Sequence, residues 1–399
     1  MYNFVVCRYH EIATKGNNRH IFERCLVDNI HHALKEVPNL KVQRVSGRVW
    51  IERKDGAVFS AEEIASFHEA LPKVFGLASY SIAIKIAPNM EAIHEAVKKA
   101  VPVAFEKMPT DKKFSFRIRA RRSNKEFPLD SKGIEIDIIT LIGQMYGNDY
   151  FKIDLQNADL TLNCEVRHEY AALFWESFPG PGGLPVGSNP RVLTLISGGI
   201  DSPVAAYMIM KRGSATDFIT FHSSPYTPPE TTAKVERIVK HMNTFQVSGK
   251  LHLVNLAEFQ KLVRDNCQER FRTVLYRRAM YRIAEIVALR TKCKALVTGE
   301  ALGQVASQTV VNMDTTNRAI DMLVLRPLIG EDKLETIAVA EKIGTMELSA
   351  PQVPDSCTVF APASPATSAP VDIIEKEELK IPNYAQVLQQ IVDEIEIIA

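Results

Sequence analysis

One stretch restricts the fold of this chain more than any other: Val192-Leu193-Thr194-Leu195-Ile196, followed at once by Ser197-Gly198-Gly199-Ile200-Asp201-Ser202-Pro203. An apolar run, a turn with two glycines and a proline suited to a first helical turn spell strand, tight turn, helix. Gly198 and Gly199 can take φ > 0 and let the backbone approach a ligand closely. Asp201 and Ser202 are placed to cap the helix, which reads through Ala205, Ala206, Met208 and Ile209 to a stop at Gly213. The free N–H groups at such a helix start, together with the positive end of its dipole, form an anion site. A plain strand-to-helix turn explains two glycines alone equally well. The segment lacks the Gly-Lys-Ser/Thr ending of a Walker loop.

With 399 residues the chain has room for two or three domains, each with its own core. Its 46% apolar and 24% charged residues are ordinary for a globular protein. The longest apolar runs fall far short of a membrane span, and the start MYNFVVCRYHE lacks the layout of a secretory signal, so a cytoplasmic protein is expected. The six cysteines, Cys7, Cys25, Cys164, Cys267, Cys293 and Cys357, show neither a CxxC pair nor zinc spacing. A reducing compartment follows, in which a disulfide would be transient and catalytic.

The apolar pattern divides the chain. The first module, 1–60, holds a strand at Phe4–Arg8, a helix around Phe22–Leu34 and strands near Val42–Val45 and Arg48–Glu52, the last two joined by a Ser46-Gly47 turn. The second, 61–168, holds helices at Ala61–Ala70, Met90–Lys107 and after Asp130, with strands at Ala78–Ile86, Phe114–Ala120, Phe151–Leu155 and Leu160–Val166. Residues 169–190, with Pro179 to Gly187 rich in Pro and Gly, read as a linker without regular structure. From 191 to 399, strands at 191–196, 217–222, 251–255 and 295–298 alternate with helices at 203–212, 230–243, 257–266 and 274–290. That alternation predicts a doubly wound parallel sheet with its ligand at the carboxyl ends of the strands. Pro351–Pro370 reads as an extended, mobile loop. The acidic tail from Val371 ends in an amphipathic helix bearing Val387, Leu388, Ile391, Val392, Ile395 and Ile398, either packed on the core or shared in a homodimer.

Four further features carry chemistry. Arg117, Arg119 and Arg121 alternate with Phe116, Ile118 and Ala120, so a strand would bury one face and present guanidinium groups on the other; Arg122 and Lys125 extend that patch. Such a cluster suits a phosphate backbone, or is a solvated strand face. Thr298 to Gln308, with Gly299, Gln304, Ser307 and Gln308, follows a strand and faces the anion site unless it is a plain polar turn. His222 ends a strand beside it and is otherwise a core histidine. Cys357, in Pro354-Asp355-Ser356-Cys357, has the setting of an accessible thiolate, and Lys333 would bring charge to the site or stay a surface lysine.

Ser197–Ser202 has the SGGxDS form of the PP-loop, which holds the pyrophosphate part of ATP. Together with Tyr9-His10-Glu11-Ile12-Ala13-Thr14-Lys15-Gly16-Asn17-Asn18-Arg19, Arg117–Arg122, Gly182-Gly183-Leu184-Pro185-Val186-Gly187, GEALGQVASQ and Leu325-Arg326-Pro327-Leu328, it makes nearly the whole chain resemble the tRNA uridine 4-sulfurtransferase (4-thiouridine synthetase) family, also tied to sulfur delivery for the thiamine thiazole. The resemblance implies an α+β ferredoxin-like domain, a THUMP RNA-binding domain and an α/β PP-loop ATP pyrophosphatase domain. ATP with Mg²⁺ would be held by Leu195, Ile196, Ser197, Gly198, Gly199, Ile200, Asp201, Ser202, Phe221, His222, Gly299 and Gln308, the ion near Asp201. RNA contacts would fall at Lys15, Arg19, Arg117, Arg119, Arg121, Arg122, Lys125 and Gln304. Asp201, Lys333 and Cys357 would be catalytic, Cys357 matching the family's catalytic cysteine, with Cys267 or Cys293 as open choices for a disulfide partner.

The implied reaction adenylates the C4 oxygen of uridine, at position eight of tRNA, and replaces it with sulfur. Long family members add a rhodanese-like domain bearing a persulfide cysteine. This sequence resembles the short form, so the expected donor is a cysteine desulfurase or another persulfide carrier. Two other classes remain at this point: a different PP-loop enzyme such as an amide-forming ligase, and a non-catalytic tRNA-binding protein.

Overall fold

Strand β1 (Phe4–Arg8) is apolar on both faces, so it becomes the centre of a sheet: Val5 and Cys7 meet helices, and Phe4 and Val6 join an aromatic cluster with Trp50 and Tyr170. The computed structural model describes residues 1–399 except 46, 110–112, 148, 149, 355–358 and 399. After β1 come α1 (Arg19–Ala33), β2 (Leu40–Val45), β3 (Arg48–Arg53), α2 (Ala61–Ala70) and β4 (Ser79–Ile86). The order β2-β3-β1-β4, antiparallel throughout, is the ferredoxin-like arrangement. Gly47 takes φ +83 in the tight connection between β2 and β3, while Ser46 lies outside the described residues. The Ser60 capping box starts α2, and Phe67, Leu71 and Tyr80 fill the same core as Val5 and Leu26. The first module therefore does not stop at residue 60; it needs α2 and the first half of β4 to close its core.

The same strand continues into the second module. Its end, Ile84–Ile86, pairs with β8 (Ala171–Phe174), and the sheet goes on through β7 (Leu160–Val166), β5 (Phe114–Arg122) and β6 (Phe151–Ile153). Helices α3 (Met90–Phe105) and α4 (Ser131–Tyr146), the latter capped by Asp130, cover one face with Ile93, Val97, Ile134 and Ile138. Residues 1–182 form one compact unit.

The expected linker at 169–190 is largely structured. It contains β8, the short β9 (Phe178–Pro179) paired with β4, and the start of β10 (Leu184–Leu195). The unit boundary does fall inside it, between Gly182 and Gly183. Its glycines mark tight packing: Gly183 sits at φ +74, and a Cβ there would lie 2.2 Å from the Lys211 carbonyl oxygen.

The second unit, 183–399, is built on a six-stranded sheet. In chain order its elements are β10, α5 (Asp201–Met210), β11 (Arg212–His222), α6 (Glu230–Met242), β12 (Leu251–Asn255), α7 (Ala257–Asn266), α8 (Arg272–Arg290), β13 (Leu296–Val297), α9 (Val310–Asn317), β14 (Val324–Leu325), α10 (Lys333–Lys342), α11 (Met346–Ser349), α12 (Val371–Glu378), α13 (Tyr384–Asp393) and β15 (Glu396–Ile398). The sheet order is β14-β13-β10-β11-β12-β15, parallel except for β15. The order reverses direction at β10, and a crevice opens there at the carboxyl ends.

Three local expectations are corrected. Helix α5 carries no side-chain cap, because the Ser202 hydroxyl turns back to the Ser197 amide at 2.8 Å, and it ends at Met210, before Gly213. Ile395 and Ile398 lie beyond the last helix, Ile398 in the edge strand β15, while Leu388, Ile391 and Val392 of α13 pack into the core. The segment read as a mobile loop is strapped down at its far end: Asn312 Nδ2 donates to Ala366 O at 2.8 Å, and Thr315 Oγ1 to Ala369 O at 2.7 Å.

Candidate active site

Strand β10 delivers Leu195 and Ile196 to the crevice, and the turn Ser197–Ile200 carries the chain into α5. The turn is held from within, the Ser197 and Ser202 hydroxyls lying 3.1 Å apart with the Gly199 amide 3.3 Å from Ser197 Oγ. Gly299 packs so close that a Cβ would sit 2.7 Å from the Ser202 nitrogen, which explains a glycine two residues past β13. The resulting cavity encloses about 200 Å³ and is open at its mouth. Leu195, Ile196, Ser197, Gly198, Gly199, Asp201, Ser202, Phe221, Gly299 and Gln308 line it; Ile200 and His222 are not among its lining residues. The half-buried His222 is held next to the crevice, its Nδ1 3.3 Å from the Ser224 amide, and burial lowers its pKa.

At the mouth, Asp201 is gripped from two sides. Lys333 Nζ lies 2.6 Å from Asp201 Oδ1, and Gln304 Nε2 donates to Oδ2 at 3.0 Å. Lys333 opens α10, which an Asp332–Glu335 capping box starts. Sequence reading assigned Gln304 to RNA and Lys333 to charge; the structure joins both to Asp201.

Along the cavity wall runs a network that sequence reading did not single out. The carboxylate of Glu300 accepts from Arg277 Nη2 at 2.7 Å, Tyr281 OH at 2.8 Å, Arg326 Nε at 2.8 Å and Thr298 Oγ1 at 3.0 Å. Burial alone would push the Glu300 carboxyl up, but the charges of Arg277 and Arg326 outweigh it and hold the pKa at about 2. The signal was present in part: Arg277 and Tyr281 are four apart on one helix, so they face the same way.

Lys234 of α6 was missed as well. It is 6% exposed, its stem passes 3.1 Å from where a Cβ on Gly198 would be, and Nζ donates to Ser349 O and Pro351 O, each at 2.8 Å. With Ser349 Oγ donating to Gly199 O at 3.3 Å, it ties the turn to the chain that leads toward Cys357. Lys234→Met orphans two carbonyls, so a loss of about 2 kcal/mol or more is expected in denaturant unfolding. An unchanged midpoint would show that this contact carries no stability.

Cys357 lies outside the described residues. Its flanks are anchored: Thr231, a cavity residue, donates through Oγ1 to Pro354 O at 3.0 Å, and Phe360 packs on Tyr226 with ring centroids 5.1 Å apart. Cys267 and Cys293 are buried, and desolvation raises both thiol pKa values, that of Cys267 to about 11. Neither is a ready thiolate.

In the first unit, strand β5 presents its arginines as its alternation predicts: Phe116, Ile118 and Ala120 are buried while Arg119 and Arg121 are exposed. Arg117 and Arg122 are partly committed at home, Arg117 to Thr161 Oγ1 at 3.0 Å and Leu155 O at 2.7 Å, Arg122 to Lys125 O at 3.0 Å. Lys125 is exposed. Lys15 lies over the Phe22 ring at 5.3 Å, and Arg19 is bound to Glu23 at 2.9 Å and to Tyr9 OH at 2.7 Å, so Arg19 braces the first module. Among the described residues, no helix is long and apolar enough to cross a membrane and no cluster of three or more His, Cys, Asp or Glu could hold a metal ion.

A pyrophosphate-type turn at the switch point of a parallel sheet, with a charged rim at its mouth, defines an α/β nucleotide-binding unit, here on the same chain as a ferredoxin-like sheet. The chain matches the family models described as Thiamine biosynthesis protein (ThiI) over residues 187–382, ThiI ferredoxin-like domain over 4–81 and THUMP domain over 87–176. A probable tRNA sulfurtransferase of Thermoanaerobacter pseudethanolicus is 39% identical over 379 residues, 95% of each chain. One from Brevibacillus brevis is 38% identical over 92% of this chain and 88% of its own. A crystal structure of a 4-thiouridine synthetase–RNA complex with bound ATP superposes with a TM-score of 0.90 at 33% identity, covering 100% of this chain and 99% of that one. The chain belongs to the tRNA sulfurtransferase (ThiI) family, and it is an enzyme of that class.

Proposed function

We propose that this enzyme uses ATP to adenylate the C4 oxygen of a uridine in tRNA, at position eight, and replaces that oxygen with persulfide-derived sulfur to give 4-thiouridine. The observation that carries the reading is the SGGIDS turn opening into a cavity whose mouth residue, Asp201, is gripped by Lys333 and Gln304. The whole-length likeness to a 4-thiouridine synthetase with RNA and ATP supports it.

A uracil C4 oxygen is a poor leaving group. Attack of that oxygen on the α-phosphate makes it part of AMP and releases pyrophosphate. Amides of residues 197–201 would take up charge on the departing pyrophosphate, with Lys333 adjacent. Mg²⁺ fits as an ion carried by the triphosphate and water with one protein carboxylate, Asp201, because Glu300 is saturated by its four donors. When bound it offsets phosphate charge. A persulfide sulfur then bonds to C4 as the C4–O bond to AMP breaks. Cys357 either carries that persulfide or resolves it by attacking its inner sulfur, leaving a disulfide that an external thiol reduces. Pro354 is held by the cavity residue Thr231, and three residues of chain reach at most about 10 Å.

The sulfur donor would be a cysteine desulfurase or another persulfide carrier, acting in the cytoplasm. Sulfur supply to the thiamine thiazole is a second outlet for the same persulfide. Arg119, Arg121 and Lys125 would meet tRNA phosphates, reading shape more than sequence.

The test is to incubate the protein with unmodified tRNA, Mg-ATP, a desulfurase and cysteine, then digest the tRNA. Mass spectrometry should show 4-thiouridine, and Asp201→Ala should block pyrophosphate release. Absence of 4-thiouridine would sink the assignment. Turnover of ATP with ammonia and no tRNA would point to a ligase, and an Asp201→Ala variant with undiminished function to a tRNA-binding protein.

A further inference from the structure

The chain from Ser349 to Ala369 carries Cys357 and is fastened on both sides of it. Before the cysteine, Lys234 Nζ donates to Ser349 O and Pro351 O at 2.8 Å each, and Ser349 Oγ reaches Gly199 O of the turn at 3.3 Å. After it, the fastening runs along α9. Thr309, at the cap of that helix, Asn312 and Thr315 recur every three residues, so their side chains share one face. Thr309 Oγ1 donates to Thr367 O at 2.8 Å and Thr315 Oγ1 to Ala369 O at 2.7 Å, while Asn312 Oδ1 accepts from Ala369 N at 2.9 Å.

Asn312 does more than hold that segment. Its Nδ2 donates to Ala366 O at 2.8 Å and also to Ala306 O at 2.7 Å. Ala306 belongs to the loop whose residues Gly299, Glu300 and Gln308 line the cavity. One amide nitrogen therefore joins the cavity loop to the chain that follows Cys357. Asn312 is fully buried, where an amide is costly unless its donors and acceptor are paired. Its pairing goes to the backbone of these two segments, which lie 60 residues apart in the sequence. Both fastenings thus end on chain that surrounds the nucleotide site: Lys234 on the side of the turn, Asn312 on the side of the loop after β13.

We propose that Asn312 and Lys234 are positioning residues for sulfur transfer, registering the Cys357 segment against the two stretches of chain that form the cavity. The activated C4 has two fates. A persulfide sulfur bonds to it while the C4–O bond breaks and its electron pair leaves on AMP, giving 4-thiouridine. Alternatively water adds there and AMP leaves in the same way, which regenerates uridine and spends the ATP. The outcome depends on how often the sulfur stands within reach of C4. Releasing either end of the segment widens the volume that the thiol samples and lowers its effective concentration at that carbon. Pyrophosphate has already departed by then, so activation itself is spared. This assignment rests on the uridine activation and on the role of Cys357 proposed above.

The experiment supplies unmodified tRNA, saturating Mg-ATP, a desulfurase and cysteine, and counts 4-thiouridine formed per pyrophosphate released over a quenched time course. Asn312→Ala and Lys234→Met should each lower that ratio about tenfold, with pyrophosphate release within about threefold of wild type. The double variant should lower the ratio further. Thr315→Val removes the bond to Ala369 O and should move the ratio the same way, while Thr315→Ser, which keeps the hydroxyl, should match wild type. A contact that serves stability alone lowers both products in parallel, so a ratio equal to that of wild type in these variants overturns the proposal. Where a variant at 312 or 234 does not fold, the Thr315 pair decides, and equal ratios for valine and serine overturn it. A wild type that releases pyrophosphate but forms no 4-thiouridine overturns the sulfur-transfer reading itself, and one that releases none overturns the uridine activation.

Discussion

Cys357→Ser is expected to abolish 4-thiouridine formation while tRNA-dependent pyrophosphate release stays within about threefold of wild type in a single turnover. The two halves of the reaction draw on different residues. The residues proposed to act on the phosphates come from the Ser197–Ser202 turn, which lines the cavity, and from Lys333, which is paired with Asp201. A serine hydroxyl neither holds a persulfide nor ionises near neutral pH, whereas sulfur transfer needs a thiolate in whichever role Cys357 plays. No substitute stands ready in the second unit, because Cys267 and Cys293 are buried with raised pKa values. The measurement is a quenched time course in which labelled pyrophosphate and 4-thiouridine are read from the same sample. Loss of pyrophosphate along with 4-thiouridine would contradict this division, since it would place the thiol in the activation step. Persisting 4-thiouridine would place the sulfur on another cysteine.

Most elements were legible in the sequence because apolar periodicity and turn chemistry are local. Strand Phe4–Arg8, helix Ala61–Ala70, strand Leu251–Asn255 and helix Ala257–Asn266 carry their boundaries in their own residues. What was misread depended on partners far along the chain. Glycines at 180–183 look flexible in one dimension; against Leu77 and Lys211 they are the residues that permit contact. Ile395 and Ile398 continue a helical pattern in isolation, but the open edge of β12 recruits Ile398 into a strand. The active-site turn, as a contiguous motif, was visible at once. Its supports were not: Lys234, Arg277 and Tyr281 each read as an ordinary helical residue until Gly198 and Glu300 are brought beside them. Gln304 shows a subtler failure. Its loop was recognised as facing the site, but that its amide would meet Asp201 depends on how β13 and α5 sit side by side.

Glu300→Gln is expected to destabilise the second unit by about 3–5 kcal/mol, a large share of the roughly 5–15 kcal/mol that holds a domain folded. Glu300 is 1% exposed and balances two guanidinium groups, those of Arg277 and Arg326. The amide keeps the shape and removes the counter-charge, so two cations remain in a low-dielectric site. The same ion cluster predicts a pH dependence. The folded pKa of Glu300, about 2, lies below the unfolded value near 4.3, so its contribution is fully present above that unfolded value. It is lost as the pH falls from there toward 2, and over that window wild type should approach the variant in stability. Both tryptophans, Trp50 and Trp175, lie in the first unit, so their fluorescence does not follow this change. Far-UV circular dichroism does, with ATP added in parallel to mark the second unit by the protection it confers. Arg277 and Tyr281 also line the cavity, so loosening their anchor should weaken ATP protection in the variant. Equal midpoints for wild type and variant at neutral pH would show that the cluster contributes no net stability, and that Glu300 sits there only to orient its neighbours.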